Sequence, residues 1–244
     1  TYTATYTVAA GNNGNSDVAI VAHDLAGNIT NYSATGNVTI DTAAPTMTVA
    51  ASGIDNDTGD SGTDHITQAT SFSLQGTLTS ALAAGEKVQI SSDGSAWSNA
   101  VVSGTSWSYA LSDQTDGSTT YQVRVIDAAG NIDSHTASLT VQVDTAPPSV
   151  SLTSEASSNT NATQAKAADV ITVNFSASDI VDSVTIGGHS ATSITNHHDG
   201  TYTATYTVAA GNNGNSDVAI TTHDLAGNIT NYSATGNVTI DTAA

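Results

Sequence analysis

Hydrophobic and polar residues alternate along most of the chain, and this pattern predicts short β-strands with one buried face. In the central part the apolar members of these runs are Phe72, Leu74 and Leu78; Val88 and Ile90; Trp107, Tyr109 and Leu111; Tyr121, Val123 and Val125; and Leu139, Val141 and Val143. The last part of the chain repeats the pattern, for example at Ile171, Val173 and Phe175. About seven such strands in ~100 residues, separated by Gly, Asn and Asp turns, predict an all-β fold of antiparallel β-sandwiches.

Internal repeats divide the chain. Residues 1–44 match residues 201–244 everywhere except at Val21 against Thr221 and Ala22 against Thr222. A five-residue phrase, Asp-Leu/Ala-Ala-Gly-Asn, occurs at 24–28, 127–131 and 224–228, and each copy precedes an Asp-Thr-Ala hinge that begins at Asp41, Asp144 or Asp241. These landmarks predict the C-terminal half of one domain (1–44), a complete domain (45–144) and a second complete domain (145–244).

Residues 1–44 lack the strands that form the front half of the last domain. Alone they cannot close a sandwich, and they would leave strand edges exposed. Two explanations stay open: a preceding segment supplies the missing strands, or a neighbouring chain does so through self-association.

Charge narrows the class of partner. The chain has 22 acidic residues against three basic ones, and its formal net charge is −19. Nucleic acids and anionic membrane surfaces are therefore excluded as expected partners, because both are bound through Lys and Arg. Divalent cations are the expected partners of so many carboxylates. There is no cysteine, so disulfides do not hold the fold together, and no apolar run approaches the ~18 residues of a membrane span.

Strand counting places the phrase at the end of each sandwich where the chain enters. Asp127 and Asn131 should then lie near Asp41, and Asp224 and Asn228 near Asp144. The acidic loop that follows the first strand of the middle domain should lie at the opposite end of that domain. It should therefore face the hinge at Asp144, near Asp224. The residues predicted to bind metal at these joints are Asp24, Asn28, Asp41, Asp57, Asp60, Asp64, Asp127, Asn131, Asp144, Asp179, Asp224, Asn228 and Asp241.

Calcium suits these positions because it accepts six to eight oxygen ligands with flexible geometry. Magnesium, which requires a stricter octahedron, is the alternative ion. A simpler reading is that the phrase Asp is a turn residue whose side chain bonds its own backbone. No catalytic motif is present, so an enzyme is the least favoured class.

The order of motifs resembles that of bacterial Ig-like repeats. The residues that carry the resemblance are Asp57-Thr-Gly-Asp-Ser-Gly-Thr-Asp64, Gly104-Thr-Ser-Trp107, Asp127-Ala-Ala-Gly-Asn131 and Asp144-Thr-Ala-Pro147 in the middle domain, and Gly200-Thr-Tyr202 and Asp224-Leu-Ala-Gly-Asn228 in the last. Such repeats are found in giant biofilm-associated and RTX-type adhesins. The resemblance implies tandem Ig-like sandwiches in a linear rod, secreted to the bacterial cell surface and rigidified by calcium at the linkers.

Three functions follow from this reading. The first is a structural extender that mediates adhesion or biofilm formation by projecting a distal binding region, whose ligand is bound outside these residues. The second is a self-assembling extracellular fibre or matrix subunit in which a neighbouring chain completes the half domain. The third is a carbohydrate- or receptor-binding module, for which Trp97 and a few tyrosines are the available aromatic residues.

Overall fold

The computed structural model describes residues 1–243; Ala244, the last residue of the predicted third domain, lies outside the described residues. Every regular element within these residues is a β-strand, which confirms the prediction of an all-β fold. Among the described residues no helix has the length and apolar character needed to cross a bilayer.

The strands are short, and Gly-rich turns separate many of them. In chain order they are β1 (Gly14–Asn15), β2 (Val18–His23), β3 (Ile29–Ala34), β4 (Thr39–Ile40), β5 (Val49–Ile54), β6 (Ile66–Thr67), β7 (Phe72–Leu78), β8 (Lys87–Ser91), β9 (Ser98–Asn99), β10 (Val101–Ser103), β11 (Ser106–Leu111), β12 (Gly117–Ile126), β13 (Ala137–Val143), β14 (Val150–Ser157), β15 (Gln164–Ala165), β16 (Val170–Ala177), β17 (Ile180–Ile186), β18 (His189–Ser190), β19 (Ser193–Asn196), β20 (Thr201–Thr207), β21 (Gly214–Asn215), β22 (Val218–His223), β23 (Ile229–Ala234) and β24 (Thr239–Ile240).

The chain forms two compact units. The first contains residues 1–55, 73–111 and 119–140; the second contains residues 56–72, 112–118 and 141 onwards. The second unit therefore includes segments of the predicted middle domain as well as the whole described part of the last domain. The domain boundaries predicted after residues 44 and 144 stay a prediction.

The first unit contains two larger sheets. Strands β10, β11, β7 and β5 form one of them in that order, and β13, β12, β8 and β9 form the other. Trp107 is buried as predicted, and its indole Nε1 donates to the carbonyl of Ala50 at 3.1 Å. The ring lies against Gly76, where an added Cβ would come within 2.4 Å of it. The buried apolar residues of this unit are Met47, Val49, Leu74, Leu78, Val88, Ile90, Trp107, Tyr121, Val123, Val125 and Leu139.

Residues 1–44 form only small sheets in this unit. Strands β2 and β3 make a hairpin, and β1 pairs with β4. Nearly all of their side chains are exposed.

The second unit contains three sheets from the last domain. Their orders are β14-β16-β20-β19, β18-β17-β22-β23 and β15-β24-β21. The alternation predicted for β16 is present, because every second side chain along it is buried. The core of this unit consists of Ala165, Ile171, Val173, Phe175, Ala177, Val184, Ile186, Tyr202, Ala204, Tyr206, Val208, Val218, Ile220, Val238 and Ile240.

Two short parallel pairings depart from the predicted antiparallel pattern. Strand β6 pairs in parallel with the end of β13, and β15 pairs in parallel with β24. In each case a two-residue strand supplies the pairing, and a segment of that length shows no alternation by which it could be recognised.

Candidate functional site

The phrase Asp-x-Ala-Gly-Asn folds as a self-contained turn. In the last copy the backbone N–H of Asp224 donates to the Asn228 carbonyl at 3.2 Å, and that of Gly227 donates to the Asp224 carbonyl at 3.1 Å. The backbone N–H of Asn228 donates to Asp224 Oδ1 and its side-chain amide donates to Asp224 Oδ2, both at 2.9 Å. The carboxylate therefore shapes its own turn, as Asx side chains commonly do.

The other two copies use the same bonds. Asn28 donates to both oxygens of Asp24, and Asn131 donates to both oxygens of Asp127, at 2.8–2.9 Å. These bonds, with the Asn side-chain amide first, lower the pKa of Asp24 and of Asp127 below the ordinary Asp value. The Gly of each copy has a positive φ of 89°, 97° or 91° in chain order, a conformation that glycine adopts without strain.

In the two complete domains, the Asn of the phrase also contacts the hinge Asp that precedes the same domain. The side-chain amide of Asn131 donates to the Asp41 carbonyl at 3.1 Å, and that of Asn228 donates to the Asp144 carbonyl at 2.8 Å. The structure thus brings together the residues that strand counting places together. The contact uses the backbone carbonyl of the hinge Asp, while Oδ1 of Asp41, Asp144 and Asp241 accepts the backbone N–H two residues later at 3.0 Å.

Within the second unit, the loop before β6 contacts the last copy of the phrase directly. Thr58 Oγ1 donates to the Ala226 carbonyl at 2.7 Å, and Gln68 Nε2 donates to the Gly227 carbonyl at 2.9 Å. The backbone N–H of Asp60 donates to the Leu225 carbonyl at 3.4 Å. Three successive carbonyls of the turn are therefore bonded by one segment, residues 58–68, which includes the loop before β6 and the residue after it. We call the contact between residues 57–68 and residues 223–228 the joint.

Gly59 lets these two segments approach so closely. Its φ is +94°, and an added Cβ would lie 2.0 Å from the Leu225 carbonyl oxygen. A side chain at this position would collide with backbone atoms that cannot move aside.

His223 bridges two carboxylates at the joint, and we call this pair of contacts its clasp. Its Nε2 lies 3.1 Å from Asp60 Oδ1, and its Nδ1 lies 2.6 Å from Asp182 Oδ1. Partial burial of the ring acts to lower the pKa of His223, but the hydrogen bonds and negative charges of Asp60 and Asp182 outweigh it, so the pKa lies above the ordinary value of 6.5.

His223 and Asp182 are not among the residues predicted to bind metal. A signal was available in the predicted topology, which places the loops of Asp60 and Asp224 at the same hinge between two sandwiches. Few cationic side chains exist in the chain to balance those carboxylates, and His223 directly precedes Asp224.

The other predicted metal ligands of this region bond within their own loops. Asp57 Oδ2 accepts the backbone N–H of His65 at 3.0 Å, and Asp64 Oδ1 accepts that of Ile66 at 3.1 Å. Asp179 Oδ2 accepts the hydroxyl of Ser178 at 2.6 Å. Asp57 Oδ1 is buried and has no hydrogen-bond partner among the described residues.

The predicted ligands fit calcium in their chemistry. Carboxylate and carbonyl oxygens are the ligands that calcium prefers, and the orphaned Asp57 oxygen is one that a cation would satisfy. Within residues 1–243, however, no three His, Cys, Asp or Glu side chains lie in a group that could hold one metal ion. Calcium binding by the thirteen predicted residues therefore stays a prediction.

Trp97 does not form an open aromatic platform. The side chain is half-buried, and the guanidinium carbon of Arg124 lies 3.7 Å from the centroid of its ring. Arg124 is in turn held by Gln89 Oε1, which accepts from its Nε and Nη2 at 3.1 and 2.9 Å. This cation–π pair covers one face of the Trp97 ring.

Two family models match the chain. The model of a bacterial Ig-like domain matches residues 43–145, and the model of the bacterial Ig-like domain of group 3 matches residues 103–235, which is more than half of the chain. The chain belongs to the bacterial Ig-like domain family. The turns, hinges and joint described above are thus features of a bacterial Ig-like protein with tandem repeats.

Two solved structures are similar to this bacterial Ig-like chain. One is a Ca²⁺-stabilised adhesin that helps an Antarctic bacterium reach out and bind ice; its TM-score is 0.46, with 24% identity over 93% of this chain and 57% of the other. The second is a tetra-tandem repeat in the extending region of a large adhesion protein, with a TM-score of 0.29 and 23% identity over 94% of this chain and 57% of the other. The chain thus spans 57% of the length of each. No curated protein sequence matches it.

Proposed function

We propose that these bacterial Ig-like repeats are a structural extender of an adhesin on the bacterial cell surface, with no catalytic role. In this role the repeats project a distal binding region, which lies outside these residues, and support adhesion or biofilm formation. The observation that carries the proposal is the joint, where the segment 58–68 donates hydrogen bonds to three successive carbonyls of the turn at 225–227.

The joint suits an extender because its bonds fix orientation. Each donor is matched to one backbone acceptor, and the accepting turn is itself held by the Asp224 carboxylate. A hydrogen bond of this type contributes about 0.5–1.5 kcal/mol, so the three together stabilise one relative orientation of the two segments by a few kcal/mol at most. Hydrogen bonds of this total strength would resist bending between the two segments and could still break and form again.

We further propose that calcium reinforces the joints. Asp57, Asp60 and Asp144 would hold the ion at the joint described above, together with Asp64, Asp179 and Asp224. Asp41, Asp127 and Asn131 would do so at the preceding hinge. When bound, the ion would neutralise carboxylates in a chain of net charge −19 and link loops that otherwise repel one another. Magnesium would serve the same carboxylates less well, because it requires a regular octahedron.

The test is small-angle scattering and thermal melting of the chain in calcium, in magnesium and after chelation with EGTA. We expect calcium to raise both the maximum dimension and the melting temperature, and EGTA to reverse both changes. The variant Asp57→Asn with Asp60→Asn should lose most of the calcium response. If EGTA changes neither quantity, the calcium proposal fails.

The matched control is Asp93→Asn with Asp199→Asn. It removes the same charge from two turn residues whose Oδ1 atoms accept backbone N–H groups of their own turns. Asn retains that acceptor oxygen, so this variant should keep the full calcium response. An equal loss in the control would show that calcium acts through general charge screening, and the joint assignment would then be wrong.

A further inference from the structure

The two complete domains differ in the segment that the middle domain uses to form the joint. Strands β6 and β15 hold the same place in their domains, because each pairs in parallel with the last strand of its own domain, β13 or β24. The segment before β6, residues 56–65, carries three aspartates, whereas the shorter segment before β15, residues 159–163, carries none. We call residues 56–68 the long end and residues 159–166 the short end.

The long end directs its polar groups outward, towards the turn that follows His223. The Thr58 hydroxyl, the Asp60 backbone N–H and the Gln68 side-chain amide donate to three carbonyls of that turn. The Asp60 carboxylate also faces His223, with its Oδ1 3.1 Å from the ring Nε2. Each of these contacts uses a group that the long end presents to the turn.

The short end directs its donors inward, to a carboxylate of its own domain. Asp169 Oδ2 accepts from the Asn159 side-chain amide and from the Lys166 backbone N–H, both at 2.8 Å. The Lys166 ammonium lies 2.8 Å from Asp169 Oδ1. Lys166 stands where the middle domain has Gln68, because each directly follows its short strand. The side chain at the place of the Gln68 donor is therefore already bound within its own domain.

The accepting side also has a feature that only the last domain carries. His223 precedes its turn, and the ring Nδ1 lies 2.6 Å from Oδ1 of Asp182, a residue at a register shift between β17 and β22. Because a carboxylate only accepts, both ring nitrogens donate, one to Asp182 and the other to Asp60. The middle domain has Ile126 before its turn, and an isoleucine side chain offers no donor.

A short end placed against this turn would leave polar groups unmatched. His223 Nε2 would lose its carboxylate, since residues 159–163 contain no acidic residue. The carbonyls of the turn would lose their donors, although Ala226 is only 1% exposed. Polar groups that are buried without a partner destabilise a contact, and such mismatches are a means by which an interface excludes a wrong partner.

We propose that His223 and the turn 224–228 form a selective docking surface, which takes the long end of a middle-type domain and excludes the short end of a last-type domain. His223 is the specificity-determining residue, because its Nε2 requires a carboxylate from the partner. The order of the two repeat types is then set by the joint itself. This inference goes beyond the extender role and does not depend on calcium, since it rests on contacts between protein groups.

The experiment is ¹H–¹⁵N NMR of the full chain in EGTA. The reporters are the backbone amides of residues 226–228, since each follows one of the three accepting carbonyls. The turn at residues 24–28 has the same sequence, and among residues 1–243 no group donates to its carbonyls at 25–27. Its amides are therefore an internal reference for a turn that is not docked.

The first variant replaces residues 56–65 by the sequence of residues 159–163 and adds Gln68→Lys, which gives the middle domain a short end. We expect the three reporter amides to move most of the way to the reference positions. The second variant, Thr58→Ala with Asp60→Ser and Gln68→Lys, keeps the segment length and should give the same movement. The matched control places residues 56–65 at 159–163 instead, and should leave the reporters unchanged.

The outcomes separate this proposal from the extender role. Unmoved reporters in the variants would mean that the turn accepts either end, which would overturn the selectivity and leave the joint intact. Reporters that coincide with the reference in the unmodified chain would mean that the joint itself is absent, and both proposals would fail. The second variant decides if the first unfolds the middle domain, which the indole signal of Trp107 reports.

The role of His223 is tested by His223→Ile, which installs the residue type of the middle domain. The exchange rate of the residue-60 amide should rise about tenfold, because a charge-assisted contact to the same residue is lost. In an Asp60→Ser background the same change should have little effect, and His23→Ile should have none. An equal rise in both backgrounds would show that His223 acts only within its own domain, through Asp182, and does not determine specificity.

Discussion

Residues 1–44 and residues 201–244 are nearly the same sequence in two surroundings, and they do not fold to the same extent. The sequence Thr-Tyr-Thr-Ala-Thr-Tyr-Thr forms strand β20 at residues 201–207, whereas the same sequence at residues 1–7 forms no strand. The hairpin that follows is nevertheless present in both copies, as β2–β3 and as β22–β23, with the same register.

The comparison separates local from long-range causes of strand formation. The hairpin is local, because its two strands are adjacent in sequence and the Asp-Leu-Ala-Gly-Asn turn joins them with internal bonds. Strand β20 instead lies between β16 and β19, which belong to residues 145–200. A strand in the middle of a sheet thus requires partners that the half domain does not contain, whatever its own β-propensity.

The largest effect that would sharpen this comparison is at the pair Ile220 and Ile20. Ile220→Ala should lower the free energy of unfolding of the last domain by about 2–5 kcal/mol, because a fully buried side chain is lost and a cavity is left. Ile20→Ala should change stability by no more than about 0.5 kcal/mol, since its side chain is exposed. Urea denaturation followed by circular dichroism measures both. Equal effects would mean that residues 1–44 are packed as residues 201–244 are.

The next effect is at the pair Asn228 and Asn28. Asn228→Ala leaves the Asp144 carbonyl and Asp224 Oδ2 without their donor in a buried turn, which should cost about 1–3 kcal/mol. Asn28→Ala removes only the side-chain bond to Asp24 Oδ2, in an exposed turn, so its effect should be smaller. Thermal melting of the two variants side by side checks the ranking, and the reverse order would contradict the role given to the hinge contact.

A stabilising change is expected at position 222. Thr222→Val replaces a buried hydroxyl that has no partner by a methyl group of nearly the same volume, which should stabilise the last domain by about 1 kcal/mol. Ala22→Val, at the exposed counterpart, is the matched variant and should leave stability unchanged. A loss of stability in Thr222→Val would show that the hydroxyl is satisfied in solution.

The smallest expected effect is a pH dependence that only one copy shows. Because the folded-state pKa of His223 is above 6.5, the stability that its clasp contributes is fully present below about pH 6.5 and is lost as pH rises through the folded pKa. Melting temperatures measured from about pH 6 to about pH 8.5 should therefore fall slightly in the unmodified chain.

The variant His223→Gln should remove this fall, and His23→Gln, at the matching position of the other copy, should retain it. A fall that persists in His223→Gln would assign the pH dependence to another group.

Most of the fold could be predicted, because the alternation of apolar and polar side chains indicates which residues are buried. Val123, Val125 and Val141 are buried as their pattern predicts, and Trp107 is a core residue. The parallel pairings of Ile66 and Gln164 were not predictable, since two residues give no period.

The candidate site was predicted in its location but less fully in its chemistry. Strand counting placed Asn131 near Asp41 and Asn228 near Asp144, and the structure has those contacts. The bonds made by Thr58 and Gln68 were missed, because their acceptors are backbone carbonyls, which every residue possesses and no sequence pattern marks. The calcium assignment of the acidic residues remains a prediction.

The bond from Thr58 to the Ala226 carbonyl spans 168 positions of the chain. In the order of synthesis, the donor is made long before its acceptor. The acceptor appears only when the following domain has been made as far as its last hairpin and the turn at 224–228 has formed. A domain cut short before that hairpin therefore leaves Thr58 without this acceptor, so the joint forms only when the last hairpin is complete.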